Sequence, residues 1–269
     1  LKAHYDHVAI SNYHPSIPYY PLDNFFTDTS GLLASPNAEQ HGMSNVSEHV
    51  HLNSIGSCLT SGENYDGTTY DVVESTLKTL QYQSGGGVTL NHPKWSGLDK
   101  SGIESILSTG GIIAMEIWNA TTEHLNGTGY SLDLWDSVLS DGIQIFGTAV
   151  PDHEAQYAPL ENRQPFGYNH LLVINKTELE VLSAYRTGRF YTTLYNDGLL
   201  LKNLALSGTT LSIEVSEAST FVFKTAKRTV NVDSAATTAT FTVASDDIYA
   251  RVEATRGSNK LFTNAIMLI

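Results

Sequence analysis

The chain has 269 residues, of which 41% are hydrophobic, and carries a formal net charge of −13. This length sustains one large domain, or one domain plus a small one, with a substantial core. No run of about 18 apolar residues is present to span a bilayer, and an acidic chain without a basic patch is a poor ligand for nucleic-acid phosphates. A small anionic substrate would need metal ions or a few basic side chains to receive it.

The single cysteine, Cys58, excludes an internal disulfide framework and a Cys-rich zinc module, and it reads as a small buried hydrophobe. The opening Leu-Lys-Ala-His is read as the interior of a longer precursor or a processed chain. Four Asn-x-Ser/Thr sequons stand at Asn45, Asn119, Asn126 and Asn175, in a chain where Ser and Thr are abundant. Low lysine and scarce cysteine fit an extracellular or periplasmic location. All ten histidines fall before residue 171, so two regions with different jobs are expected: a histidine-bearing region over 1–196 and a histidine-free module over 197–269.

In chain order, YDHVAIS (5–11) reads as a short strand closing on Asn12-Tyr13-His14-Pro15. An aromatic and proline-rich loop over 17–21 follows, unsuited to helix or central strand. A short apolar stretch then leads to Glu39. EHVHLNSIG (48–56) alternates in strand fashion, placing His49, His51 and Asn53 on one face, where two imidazoles two residues apart can share a metal. A polar edge strand presents the same pattern. The spacing of Val72, Val73, Leu77 and Leu80 predicts an amphipathic helix over 70–83.

GGGVTLNHP (85–93) predicts a buried strand that delivers His92 at its C-terminal end, where Pro93 stops the ladder for want of an N–H. A helix over 100–108, a strand over 112–119 ending on Glu116 and Asn119, a helix over 132–139 and a strand over 143–150 delivering Asp152-His153 complete an alternation typical of parallel βα units. A strand over 170–174 and a helix over 177–187, with Thr177 as N-cap, close this region. From about residue 199 short alternating segments separated by Ser/Gly/Asp/Asn-rich turns predict a small all-β sandwich suited to packing or docking.

The polar residues gathered from strand ends are His14, Glu39, His49, His51, His92, Glu116, Asn119, Asp152 and His153. Imidazoles with bridging carboxylates suit Zn²⁺, Mn²⁺ or Fe ions without any thiolate. Several elements that each end on His, Glu or Asp point to a metal site rather than to isolated polar residues.

The order VAISNYHP, HVHLNSIG, GGVTLNHP, AMEIWN, WDSVLSDGIQIFGTAVPDH and LSAYRTGRFYTT resembles the polymerase and histidinol phosphatase (PHP) domain, closest to its carbaryl-hydrolase-like branch, over essentially the whole chain. The resemblance implies an α/β fold: a distorted (β/α)7 barrel lacking its first strand, followed by the β sandwich. It also implies one to three divalent metal ions. Residue by residue, His14, Glu39, His51, His92 and Asp152 match metal-ligand positions. The family's Asp-x-His is replaced by Asp152-His153-Glu154, so that His153 is a ligand with altered spacing or that ligand is lost. The family's leading His-x-His strand has no counterpart after Leu1, and neither His4 nor His7 replaces it. Only the Glu39/His51/His92 position then keeps a full set of protein ligands. An incomplete chain, a homo-oligomer or a separate completing segment is the corresponding expectation.

The activity implied is hydrolysis of phosphate esters or phosphodiesters through a metal-activated water. His14, His153 and Asp152 are the candidate catalytic residues, with either histidine placed to protonate the leaving group. Lys94, Arg163 and Asn119 are candidates for holding a small anionic ester; Lys94 and Arg163 read equally well as ordinary surface cations. No nucleic-acid or membrane partner is expected. Two rival readings remain at this point: a carboxyl or carbamate ester hydrolase on the same metals, and an extracellular structural or carbohydrate-associated protein with reduced catalysis.

Overall fold

The computed structural model describes residues 5–9, 31–37, 39–44, 47–56, 85–152, 167–194 and 198–268, with backbone alone over 40–44 and 47–49. The expected helix over 70–83, the loop over 17–21, Cys58, His14, His153 and Arg163 lie outside the described residues.

In chain order the elements are β1 (His7–Val8), β2 (Leu33–Ala34), β3 (Glu39–Ser44), β4 (Ser47–Ile55), β5 (Gly87–Leu90), α1 (Lys100–Leu107), β6 (Ile112–Asn119), α2 (Ala120–Asn126), α3 (Leu132–Leu139) and β7 (Phe146–Val150). They continue with β8 (Gly167–Leu171), α4 (Glu178–Arg186), β9 (Phe190–Leu194), β10 (Leu201–Ser207), β11 (Thr210–Thr225), β12 (Thr229–Thr242), β13 (Tyr249–Arg256), β14 (Asn259–Thr263) and β15 (Ile266–Met267). These form two compact units, Leu1–Met115 with Leu171–Arg189, and Glu116–His170 with Phe190–Ile269.

In the first unit β3, β4, β5 and the start of β6 are successive neighbours. β4 runs antiparallel to both β3 and β5, and β6 parallel to β5. Alternation along β4 separates two faces. Val50 and Leu52 are buried to 0% and 1% exposure, and Leu52 stands opposite the fully buried Leu90 of β5. Each such leucine contributes about 2 kcal/mol of transfer free energy. The opposite face carries His51 and Asn53 on β4, with Glu39 facing Asn53 from β3 and Thr89 facing it from β5. That polar face is closed in part by α4, whose Tyr185 hydroxyl lies 2.8 Å from Thr89 Oγ1. α1 starts where Asp99 caps it, its carboxylate accepting from Gly102 N–H at 2.8 Å.

The second unit is dominated by one curled antiparallel sheet in the order β10-β11-β13-β14-β9-β8, with β12 on β11 and β15 on β13. Its core joins Leu211, Ile213, Phe221, Phe223, Phe241 and Val252. The segment after α2 returns alongside β6: Asn119 N–H donates to Gly129 O and Ser131 N–H to Ile117 O, both at 3.0 Å. Gly129 is required there, since a Cβ would lie 2.4 Å from Glu123 Cβ and 2.5 Å from Asn119 O.

The expected (β/α)7 barrel is therefore not the fold. The protein is mostly β, 49% strand against 17% helix, with four helices among the described residues. The physical reason is visible at β3 and β4. Ser44 pairs with Ser47, leaving two residues to connect the strands, whereas a parallel pair needs a crossover of about a dozen residues or more. Within the described residues, the strand–helix–parallel-strand alternation holds for β5, α1 and β6.

The expected small sandwich is also replaced by the single curled sheet. Among the short alternating segments expected after residue 199, 211–215 and 221–224 are parts of one sixteen-residue strand, β11. Register shifts between Glu214 and Phe221 let one flank of β11 serve β10 first and β13 afterwards, while β12 lies on the other.

Candidate metal centre

The site sits on the polar face of the first unit. Glu39 opens β3, His51 lies within β4, and Asn91 extends β5 by one more ladder bond, its N–H donating to His51 O at 2.9 Å. The chain then turns at His92, whose φ of 24° lies in the left-handed region that a side chain with a Cβ seldom adopts. Pro93 leads a turn closed by Leu98 N–H on Pro93 O (3.0 Å) and Ser96 N–H on His92 O (3.1 Å). The strained residue thus has support on both sides.

One oxygen organises the group. Glu39 Oε1 lies 3.1 Å from His51 Nδ1, 3.8 Å from His92 Nε2 and 3.3 Å from Asn91 Nδ2, which donates to it. Glu39 and His92 are 7% and 6% exposed, and the His51 side chain 12%. The imidazoles meet edge to face at 4.9 Å, and the Trp95 ring approaches both, at 5.6 Å from His51 and 4.9 Å from His92. Ser96 Oγ stands 3.4 Å from His92 Nδ1. A proton on Nδ1 shared with Ser96 leaves the Nε2 lone pair directed to the Glu39 side, the outer contact that fixes a ligating histidine's tautomer.

A buried Glu39, His51 and His92 group with ligand atoms within 4.8 Å of one another can hold a metal ion. The donor chemistry fits: one carboxylate and two imidazoles form an oxygen and nitrogen set, and a carboxylate withdrawn from water calls for positive charge beside it. Buried acceptors fit as well. Asn91 Oδ1 and Asn53 Oδ1, on the same face, have no hydrogen-bond partner among the described residues.

The other sequence candidates fall as follows. Asn119 is 1% exposed in the second unit. Its Nδ2 donates to Glu116 Oε2 at 2.8 Å and to Asp152 Oδ2 at 3.0 Å, while its Oδ1 accepts Thr122 N–H as the cap of α2. Asp152 sits there at φ 52° and is not among the three residues of the metal-capable group. Lys94 is exposed in the turn beside His92. His49 belongs to β4. Asn91, Trp95 and Ser96 are the site neighbours that residue type alone did not single out. The i, i+4 spacing of His92 and Ser96 was the available signal for one of them, once a turn follows the proline.

Compared with protein-family models, with curated proteins and with solved structures, the chain matches none.

Proposed function

We propose that the protein is a metal-dependent hydrolase of phosphate monoesters or diesters, acting at the Glu39/His51/His92 centre. The observation that carries the reading is the convergence of a carboxylate and two imidazoles on one buried oxygen, with Ser96 on the rear nitrogen of His92. A divalent ion bound there, Zn²⁺, Mn²⁺ or Fe²⁺ by its donor set, supplies Lewis acidity and a water of lowered pKa. Glu39 keeps the negative charge that retains the cation, and Ser96 holds the His92 ring. Trp95 restricts water around both rings. Lys94, exposed in the adjoining turn, is the cation this reading assigns to an anionic ester oxygen. Carboxyl or carbamate ester hydrolysis on the same metal calls for the same residues, and substrate profiling separates it from phosphate ester hydrolysis.

The test is metal content followed by turnover. Protein prepared without chelator is expected to hold a transition metal and to hydrolyse p-nitrophenyl phosphate or bis-p-nitrophenyl phosphate with added Mn²⁺. Glu39→Ala and His92→Ala are expected to lose the metal and at least about a hundredfold in kcat/KM, roughly 2.7 kcal/mol of transition-state stabilisation. Metal retention with no turnover of either phosphate would replace this reading with a carboxyl or carbamate ester hydrolase, or with a scaffold protein, according to whether such esters are cleaved. Absence of metal would end it.

A further inference from the structure

We propose that Asn91 is a fourth protein ligand of this centre, contributing its side-chain oxygen Oδ1 by turning its carboxamide over when a divalent cation enters. The inference rests on the metal reading above and goes beyond it in naming a ligand that the histidine and carboxylate pattern does not contain.

Asn91 is 2% exposed, and its backbone is fixed by the 2.9 Å bond from its N–H to His51 O. Its amide end therefore has little freedom except rotation about the terminal torsion, which is broad and nearly two-fold for asparagine. That end lies 3.3 Å from Glu39 Oε1, the oxygen that faces both imidazoles. Two ligands of a tetrahedral ion at about 2.1 Å stand about 3.4 Å apart. The carboxamide is thus already at a ligand's distance from a ligand.

The ends of the amide are occupied oppositely. Nδ2 donates to the carboxylate, whereas Oδ1 is buried with no hydrogen-bond partner among the described residues. Without a cation this is the electrostatically sensible arrangement, because the carboxylate needs a donor. A cation reverses it. Glu39 is then neutralised by the ion, an N–H₂ group facing the ion is repelled, and the unpartnered oxygen gains a ligand bond. Asn53 Oδ1 is a second unpartnered oxygen on this face, but among the described residues the side-chain hydrogen bond to Glu39 comes from Asn91, so Asn91 is the residue assigned.

The experiment measures Zn²⁺ and Co²⁺ affinity by chelator competition, and the visible spectrum of the Co²⁺ form, for the wild type, Asn91→Leu and Asn91→Asp. Asn91→Leu keeps the shape and removes the ligand. It is expected to weaken both ions by about tenfold or more and to shift the Co²⁺ bands, whereas Asn91→Asp keeps an oxygen and restores binding. In the wild type, the Asn91 side-chain ¹⁵NH₂ resonances are expected to move on Zn²⁺ addition as their bond to Glu39 is lost. Wild-type binding with unchanged Asn91→Leu affinity and Co²⁺ spectrum would overturn the assignment while leaving the metal centre standing. Failure of the wild type to bind either ion would overturn the metal centre itself. Should Asn91→Leu not fold, static ¹⁵NH₂ resonances in Zn²⁺-loaded wild type would overturn the assignment alone.

Discussion

His92 joins two demands that a glycine and a histidine would meet separately. Its φ of 24° favours glycine, and its ring lies beside Glu39, with Nε2 3.8 Å from Oε1. The ladder bond of Asn91 before it and the turn after it hold the backbone there. Removing the ring therefore has different consequences according to what replaces it. His92→Ala keeps a Cβ in the unfavourable region and His92→Gly does not. Glycine is expected to be the more stable of the two by about 1 kcal/mol, reversing the usual order of these residues. Urea unfolding with chelator present checks this, and equal or inverted midpoints would show that the backbone is not strained at this residue.

At the scale of elements, α3 and β13 are tied within the second unit by Arg251. Its side chain is fully buried, donates from Nε and Nη2 to the two oxygens of Asp136 at 2.6 and 2.8 Å, and lies 4.8 Å above the Trp135 ring. Glu253 Oε1 lies 2.9 Å from Arg251 Nη1, and Tyr249 Oη donates to Asp136 at 3.0 Å. Asp136→Ala leaves the guanidinium buried without its principal partner, and is expected to cost about 3 kcal/mol or more; Asp136→Leu combined with Arg251→Met should recover most of it. Thermal unfolding of the three proteins decides this, and an additive double variant would exclude the coupling.

The same scale explains what could be read in advance. Helices at Lys100–Leu107, Leu132–Leu139 and Glu178–Arg186 were legible because apolar spacing and capping residues such as Thr177 are local signals. The Glu39/His51/His92 set was legible because chemically conspicuous residues fall at strand positions. Strand direction was not. A strand opposite an antiparallel neighbour and one opposite a parallel neighbour can share the same apolar run, and the short Ser44 to Ser47 connection was the clue against a βα reading. Nor does the alternation in 211–215 and 221–224 reveal that Ser216 to Thr220 continues the strand through a bulge.

At the scale of the whole molecule, acid stability is set in part by two half-buried histidines, His7 in the first unit and His170 in the second. Burial pulls His7 and His170 down from 6.5 to about 4. His7 Nε2 lies 2.9 Å from Ser35 Oγ, and His170 Nε2 2.8 Å from Thr193 Oγ1 with its ring stacked on Tyr191 at 4.6 Å. Between pH 6.5 and 4 the unfolded chain takes up protons that the folded one refuses. This contribution to stability is full above pH 6.5 and is lost as pH falls toward 4, on the order of 3 kcal/mol for each ring in full. Urea midpoints at pH 7 and 4.5, with chelator present, should differ less in His7→Gln and His170→Gln than in wild type. An unchanged pH slope in both would rule the two rings out.

The division of the chain into Leu1–Met115 with Leu171–Arg189, and Glu116–His170 with Phe190–Ile269, has a consequence for how the protein is made. Neither unit is one continuous stretch. On a ribosome delivering the N-terminus first, Glu39, His51 and His92 emerge before the second stretch of their own unit. Val181, Leu182 and Ala184, buried residues of that same unit, follow only after the first stretch of the other unit has been made. The first unit therefore stays incomplete until Arg189 has been synthesised, well after its first stretch has emerged.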